Sequence, residues 1–521
     1  MNKILKYMGI GAVVCLAAGC TDNFEKYNTH PYRPTKVPAN TLLSKMFEVY
    51  ASPQQNDCQF NNTMWACFSG QVTAPQNWSK GENIFAYYNA VENFNGATWG
   101  ILFSKTYPNF FRIEKATEKK GVIYAIARLT RIYAMQTLAS LQGPIPYTQV
   151  EDGKTEAAYD TEEKAWHAMF GELDEVISTL KAATVLGINA DLAAVDQFYA
   201  GNCNKWLKFA NTLKLRMAIR ISGADPDYAR KRAEEAVRDG VMESVDDSSY
   251  DKTHSGQGVN GYSVVSGWGE LKANACLVSY MNGYEDPRRS VYFTEQTQTS
   301  QKGFVGVRSG SADIPSSATY TNYSNIRIAT EKQSPQPVMF AAEAAFLRAE
   351  GALKKWDMKG KAEDFYKQGI MLAFQEFKVQ GVEDYLNNDK LKPGNYEDNL
   401  VSGHTGNNYT NTSSVTIKWD NNASEEVKLE KILTQKWIAL FPDPLNGWAD
   451  YRRTGYPRIF PATRSANPDC TTVRGQRRLR FPEGEYNTNK EHVEAAVKML
   501  SNGKDSNGTD LWWALKNNGK Y

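Results

Sequence analysis

The chain has 521 residues with 60 basic and 58 acidic side chains, so its formal net charge is only +2. This near-neutral balance argues against a protein that captures nucleic acid through charge, because such binding requires many neutralised phosphates. The length is ample for a large core and allows more than one domain.

The first twenty residues have the pattern of an export signal. Two lysines precede an apolar stretch at residues 8–18, which is too short to cross a bilayer. Small residues then lead into Cys20. We therefore predict a lipoprotein signal peptide over residues 1–19 and a lipid on the Cys20 thiol, which would hold the mature chain at a membrane. The alternative is a plain secretory signal in which Cys20 is incidental.

Seven cysteines are present, and removal of the signal together with lipidation of Cys20 leaves five. An odd and scattered set is not a disulfide framework. Buried thiols are therefore predicted, although one bridge between Cys58 and Cys67 is left open. The five are Cys58, Cys67, Cys203, Cys276 and Cys470.

Residues 20–40 contain prolines that disfavour a helix, so we predict an extended tether. The remainder, residues 41–521, is predicted to be one mainly helical body. Its helical scaffold is expected mainly at 41–243, 335–380 and 426–455, with loop-rich insertions at about 244–330 and 385–425.

Three helices are predicted in the first half from apolar residues at helical spacing. The first spans residues 122–141, and the second runs from a capping box of Asp160 and Glu163 to about residue 183. The third, residues 205–221, carries a basic stripe. We interpret this stripe as a solvated face whose long stems cover the core, not as a nucleic-acid site. The stripe comprises Lys205, Lys208, Lys214, Arg216 and Arg220.

Two helices in tandem are predicted at residues 337–354 and 361–377. Ala341, Ala345 and Ala349 repeat every four positions in the first, which would let a neighbouring helix approach closely. A helix pair with small residues at its seam is typical of a tetratricopeptide-like hairpin.

Groups that would carry catalysis are not marked in the sequence. The five histidines are dispersed, without a His-x-x-x-His pair or a Cys/His cluster at zinc spacing, so neither a metal nor a cofactor is expected. The glycine pattern at residues 256–261 has no following helix to receive a pyrophosphate, and we interpret it as a loop. A pair of glycosidase carboxylates cannot be recognised from spacing alone.

Several motifs, in order along the chain, resemble the SusD/RagB family of nutrient-binding outer-membrane lipoproteins, in its SusD-like branch. They are Cys20 with the tether up to Pro31, Leu141–Tyr147 (LQGPIPY), Phe346–Glu350 (FLRAE), Ile432–Leu440 (ILTQKWIAL) and Trp448–Pro457 (WADYRRTGYP). The chain departs from the better-known branch at Thr434-Gln435-Lys436, where that branch has an acidic residue followed by arginine.

This resemblance implies a mainly α fold, in which four tetratricopeptide-like hairpins form a scaffold and an irregular, loop-rich subdomain binds the ligand. It also implies a place on the outer membrane, facing outward, and a SusC-like TonB-dependent transporter as partner. Arg452 and Arg453 are expected to pair with carboxylates or helix ends.

The ligand surface is expected to use rigid aromatic side chains that pair an apolar body with one polar group, as sugar rings require. Position in the chain, without a motif match, directs attention to loop residues. They are Asn77, Trp78, Trp268, Tyr292, Tyr320 and Tyr323, whereas the helical Trp99, Trp166 and Trp206 are assigned to the core.

Four functions remain open at this point. The first is capture of nutrient oligosaccharides for the transporter, without chemistry. The second keeps the same role with oligopeptides, the third is a surface glycoside hydrolase, and the fourth is a purely structural tetratricopeptide scaffold.

Overall fold

The computed structural model describes residues 37–50, 67–74, 88, 92–252, 271–297, 301–311, 321–327, 335–400 and 405–515. Within these ranges the protein is mainly helical, with sixteen α-helices and four short strands. This confirms the predicted fold class. None of the described helices is long and apolar enough to cross a membrane.

The described residues of the first half form seven helices, and from α2 onward each long helix packs against the next. They are α1 (Ala39–Met46), α2 (Glu92–Thr117), α3 (Gly121–Leu141), α4 (Glu162–Ala183), α5 (Ala190–Ala193), α6 (Cys203–Ile221) and α7 (Pro226–Asp239). The helices predicted at 122–141 and 205–221 are confirmed to within two residues.

The start of α4 differs from the prediction. Thr161, not Asp160, is the N-cap, and its side chain accepts a hydrogen bond from the Lys164 amide. Asp160 instead accepts hydrogen bonds from the Thr148 amide (2.7 Å) and hydroxyl (2.8 Å). The Asp160 carboxylate is therefore hydrogen-bonded to the preceding loop, and the hydroxyl of the next residue, Thr161, caps the helix.

The predicted solvated stripe on α6 is wrong for three of its five residues. Lys214, Arg216 and Arg220 are buried. Arg216 forms a two-pronged ion pair with Glu343, at 2.6 and 2.5 Å, and this pair joins α6 to a helix of the second half. A buried charge is tolerated because it is paired and hydrogen-bonded.

Two antiparallel two-stranded sheets lie between the helices. β1 (Val72–Thr73) pairs with β3 (Lys272–Ala273), and β2 (Ser249–Asp251) pairs with β4 (Gln336–Met339). The helix predicted from residue 337 is therefore wrong in its first turn. Pro337 lies in a strand at a sheet edge, where its missing N–H is not required.

The described residues of the second half contain nine helices. Two short ones follow β3, and after β4 the helices α10, α11 and α13 pack against one another. The nine are α8 (Ala275–Gly283), α9 (Arg289–Tyr292), α10 (Ala341–Leu353), α11 (Ala362–Glu376), α12 (Val382–Leu386), α13 (Glu425–Ala439), α14 (Pro444–Thr454), α15 (Glu483–Thr488) and α16 (Lys490–Met499).

One continuous core runs through these helices and includes Trp99, Trp166 and Trp206, as predicted. Ala341, Ala345 and Ala349 are all buried, which agrees with their predicted place at a helix seam. Cys67, Cys203, Cys276 and Cys470 are free, buried thiols, and Cys58 lies outside the described residues.

Candidate functional site

A narrow crevice lies beside the β1–β3 sheet. Its two adjoining parts share Phe68, Tyr88, Ile459 and Phe460, and we call the whole the aromatic crevice. Each part encloses only about 10 Å³, which is roughly the space that one water molecule needs. The crevice is therefore narrow, and it can contact the edge of a ligand but cannot enclose one.

Three aromatic rings pack at tilted angles at one end of the crevice. Phe68 lies 5.2 Å from Trp448 and 6.0 Å from Tyr88, measured between ring centroids. Trp448 is held in place because its indole N–H donates to the Gln476 carbonyl at 3.1 Å. The rings are thus rigid apolar faces, and Tyr88 adds a hydroxyl.

Small polar side chains form the other end. The Asn274 amide nitrogen donates to the Thr73 hydroxyl (2.7 Å) and the Ser309 hydroxyl (2.9 Å), while its carbonyl oxygen accepts from the Cys276 amide (2.8 Å) and caps α8. Backbone pairing holds this end together, because Asn274 is bridged to Val307 and lies next to the β1–β3 pair. Asn274 and Ser309 both line the crevice. The Asn274 amide is buried and also donates to the Val72 carbonyl at 3.1 Å, so the polar group offered to a ligand here is the Ser309 hydroxyl.

Cys67 and Tyr88, two ionisable residues that line the crevice, are neutral at physiological pH. Burial raises the pKa of the Cys67 thiol to about 12, and it raises the pKa of the Tyr88 hydroxyl to about 12 as well. A thiol at that pKa is a poor nucleophile. Among the described lining residues there is no carboxylate or histidine, so they contain no acid–base pair. Their arrangement can bind through stacking and hydrogen bonds.

A second concavity lies at the C-terminal end of α2, with a volume of about 690 Å³ that includes open solvent. Charges of both signs line it, and Lys119 lies 3.2 Å from Glu114. It offers one aromatic ring, Phe111, so it is less suited to a sugar than the aromatic crevice.

Four of the predicted ligand residues, Asn77, Trp78, Trp268 and Tyr320, lie outside the described residues, as does Cys20. The structure does describe the residues that flank them. The nearest described residues are Ala74, which follows β1, Leu271, which precedes β3, and Thr321. The segment that begins at Thr321 hydrogen-bonds to β3 through the Ser324 carbonyl.

Tyr292 is a core residue and not the predicted ligand contact. Its side chain has no exposed surface, and its hydroxyl donates to the Ile438 carbonyl at 3.0 Å. Phe441 packs on its ring at 4.9 Å. The prediction was wrong because Tyr292 ends a short helix that packs into the core, although the surrounding sequence is polar.

Tyr323 is also buried, which corrects its predicted place at the ligand surface. Its hydroxyl lies 2.8 and 2.9 Å from the two carboxylate oxygens of Asp398. Val305 and Val307 pack with it in a small separate cluster. Here a tyrosine joins two loop segments, a role that polar composition does not reveal.

The sequence analysis missed the residues that do line the crevice. Phe68 and Tyr88 belong to the same N-terminal portion as Asn77 and Trp78, and Phe460 follows the WADYRRTGYP motif closely. The only signal in the sequence was that these residues lie close along the chain to Asn77, Trp78 and the WADYRRTGYP motif. Nothing in the spacing indicated that the two regions meet.

The arginine pair of that motif has a structural role. Arg453 pairs with both carboxylate oxygens of Glu350, at 2.7 and 2.6 Å, and with Asp450 at 2.9 Å, as predicted. Arg452 donates to the Arg477 carbonyl at 2.9 Å and lies over the Trp448 ring. Arg452 thus supports a wall of the crevice from behind.

Comparison with known families identifies the class of protein. Residues 24–514 match the SusD-like family model, described as SusD and RagB outer membrane lipoprotein. The chain therefore belongs to the SusD-like family, and the resemblance found in the sequence is confirmed. The comparison with curated proteins gives no match.

Solved structures agree. A SusD-like protein from Bacteroides thetaiotaomicron is 68% identical over 93% of this chain and 100% of its own, with a TM-score of 0.90. A SusD homologue from the same organism is 33% identical over 92% and 100%, with a TM-score of 0.84. A chitin-binding SusD homologue from Flavobacterium johnsoniae is 32% identical over 92% and 99%, with a TM-score of 0.85.

Proposed function

We propose that this protein is a lipoprotein of the outer membrane, anchored through Cys20 and facing outward, that binds nutrient oligosaccharides and passes them to a SusC-like TonB-dependent transporter. The observation that carries the proposal is membership of the SusD-like family across residues 24–514, together with a 32% identical relative described as chitin-binding. The protein performs no chemistry on its ligand.

The aromatic crevice supports an oligosaccharide ligand. A sugar ring presents flat C–H faces and a rim of hydroxyl groups, so it needs both apolar faces and polar partners. Phe68 and Tyr88 supply the first, and Ser309 supplies the second. A peptide backbone could use the same groups, so an oligopeptide is the alternative ligand.

Chain connectivity supports a role for the predicted loop residues. Trp78 follows Ala74 by four positions, Trp268 precedes Leu271 by three, and Tyr320 immediately precedes Thr321. A chain reaches at most about 3.5 Å per residue. Each of these residues is therefore close in sequence to a described segment that forms the β1–β3 sheet or hydrogen-bonds to it.

Replacement of Trp78 and Trp268 by alanine, singly and together, tests this assignment. Loss of a stacking aromatic should weaken binding by at least tenfold in the double variant, since each ring contributes on the order of 1 kcal/mol. The measurement is calorimetric titration with chito-oligosaccharides, malto-oligosaccharides and short peptides. Trp356→Ala is the matched control, because Trp356 lies in the turn between α10 and α11 and does not line the crevice. Unchanged affinity in the double variant rules out both residues.

The anchor and the partner need separate experiments. Cells that express the full chain should incorporate labelled palmitate, and the Cys20→Ala variant should not. Incorporation that persists in the variant would show that another residue carries the lipid. Detergent extraction of the wild type should copurify a TonB-dependent barrel. A protein that is exported, folded and never found with such a barrel contradicts the transporter role.

A further inference from the structure

Three metal-binding side chains meet where the first turns of α4 face the start of α7. Glu163 and His167 are one helical turn apart on α4, and Asp225 is the N-cap of α7. Their ligand atoms all lie within 4.8 Å of one another. The sequence predicted no metal site, because Asp225 is 58 positions from His167 and only the packing brings them together.

Two of the three groups are already held in place. The His167 ring stacks on the Tyr228 ring at 4.0 Å between centroids, with an angle of 28°. Asp225 accepts a hydrogen bond from the Tyr228 amide through Oδ1, at 3.4 Å, which turns Oδ2 toward His167 Nε2 at 3.0 Å. Tyr228 therefore orients both side chains.

A hydrogen bond between His167 and Asp225 explains those two groups without a metal. It does not explain Glu163, whose carboxylate reaches the same point from one turn earlier. Among the described residues Glu163 forms no ion pair or side-chain hydrogen bond, whereas the neighbouring Lys164 pairs with Asp160 at 2.5 Å. The Glu163 carboxylate is exposed and can move to complete a site.

We propose that Glu163, His167 and Asp225 form a Zn²⁺ site on the outer surface of the scaffold. One imidazole nitrogen and two carboxylate oxygens are suitable ligands, each at about 2.0–2.2 Å from the ion. Ligand atoms at those distances in tetrahedral geometry lie roughly 3.4 Å apart, so the 3.0 Å between Nε2 and Oδ2 needs little adjustment. His167 and Asp225 are partly exposed, which leaves room for water at the fourth position.

The ion would link α4, which carries Glu163 and His167, to the start of α7, where Asp225 is the N-cap. Both α4 and α7 pack against α6, and the site joins their outer ends. Zn²⁺ bound to the folded chain only would raise the unfolding temperature with its concentration. This effect does not depend on any oligosaccharide, so the site can be tested apart from the proposed function.

The test is titration of the tag-free mature protein, freed of metal with a chelator, with Zn²⁺ in a calorimeter. One ion should bind per chain, and His167→Gln and Asp225→Asn should each weaken binding by at least about tenfold through loss of a ligand. Asp225→Asn keeps the helix cap, because asparagine caps as well as aspartate. His492→Gln removes a histidine from α16 and should leave the affinity unchanged.

Glu163→Gln, on an exposed carboxylate, tests the third ligand and should also weaken binding without loss of fold. In the wild type, Zn²⁺ should raise the midpoint of thermal unfolding, and the shift should disappear in His167→Gln. The proposal is overturned if no ion binds at micromolar Zn²⁺. It is also overturned if His167→Gln and Asp225→Asn, shown to be folded by circular dichroism, bind as tightly as the wild type.

Discussion

Glu162 is a buried carboxylate at the start of α4, with 5% of its surface exposed. Its Oε1 accepts a hydrogen bond from the Trp512 amide at 2.9 Å, and Arg478 and Arg452 are nearby positive charges. Burial outweighs these favourable interactions and raises the pKa of Glu162 to about 7. The Glu162 carboxyl group therefore binds its proton more tightly in the folded chain than in the unfolded chain.

This shift predicts a pH dependence of stability. A pKa raised on folding means that the native state binds the proton more tightly, so this contribution to stability is complete below pH 4.5 and is lost as pH rises through about 7. The loss is on the order of 3 kcal/mol, at 1.36 kcal/mol per pKa unit. Glu162→Gln should remove it and flatten the pH dependence.

Urea unfolding at pH 5 and pH 8 measures the difference. Between pH 5 and pH 8 the free energy of unfolding should fall less in Glu162→Gln than in the wild type. The stability of the variant relative to the wild type should therefore be higher at pH 8 than at pH 5. Glu156→Gln, on an exposed carboxylate, should behave as the wild type. Equal pH slopes in wild type and Glu162→Gln would contradict the raised pKa.

Residue type alone did not reveal which charged and aromatic side chains are buried. Lys214 was expected on a solvated face, yet its ammonium group lies 2.6 Å from Asp174 and 2.9 Å from Glu235. Tyr292 and Tyr323 were expected at a ligand surface, yet both are fully buried. Each depends on a partner far away in sequence, which local spacing cannot supply.

Close packing between α10 and α11 depends on one glycine. A Cβ at Gly369 would lie 2.7 Å from ring atoms of Phe346, which is itself completely buried and cannot move aside. The small residues along α10 and this glycine on α11 let the two helices approach. The hairpin is therefore fixed by a contact that only glycine allows.

Gly369→Ala should destabilise the protein, although alanine is the better helix former by about 1 kcal/mol. Overpacking costs typically about 1–3 kcal/mol and should prevail. Gly171→Ala in α4 is the matched control, because nothing lies within 4 Å of its Cβ position. That variant should gain about 0.5–1 kcal/mol, as exposed helix positions do. Urea unfolding gives both values, and a stabilised Gly369→Ala would show that the hairpin has room to spare.

At the scale of elements, apolar periodicity predicted α3, α6 and α11 to within two residues, because one face of each helix packs on the core. The errors lie at ends. Pro337 begins a strand because β2 is there to pair with it, and Thr161 caps α4 because Asp160 is engaged by Thr148. The ends of a helix depend on contacts with other segments, whereas its interior depends on the spacing of its own apolar residues.

At the scale of the whole molecule, the order of the motifs was enough to identify the SusD-like family, and the fold followed from it. The site did not. The aromatic crevice joins Phe68 and Tyr88 of the N-terminal portion with Phe460 of the C-terminal third. The packing of the scaffold brings these distant segments into contact, and no local sequence pattern predicts that contact.

The central claim is that the protein captures oligosaccharides and leaves them intact. Equilibrium dialysis of the mature protein against a mixed pool of oligosaccharides and short peptides, with mass spectrometry of what it retains, tests this most directly. We predict enrichment of oligosaccharides at their original chain length, reduced in the Trp78→Ala/Trp268→Ala variant. Retention of peptides alone, or the appearance of shortened sugars, would contradict it.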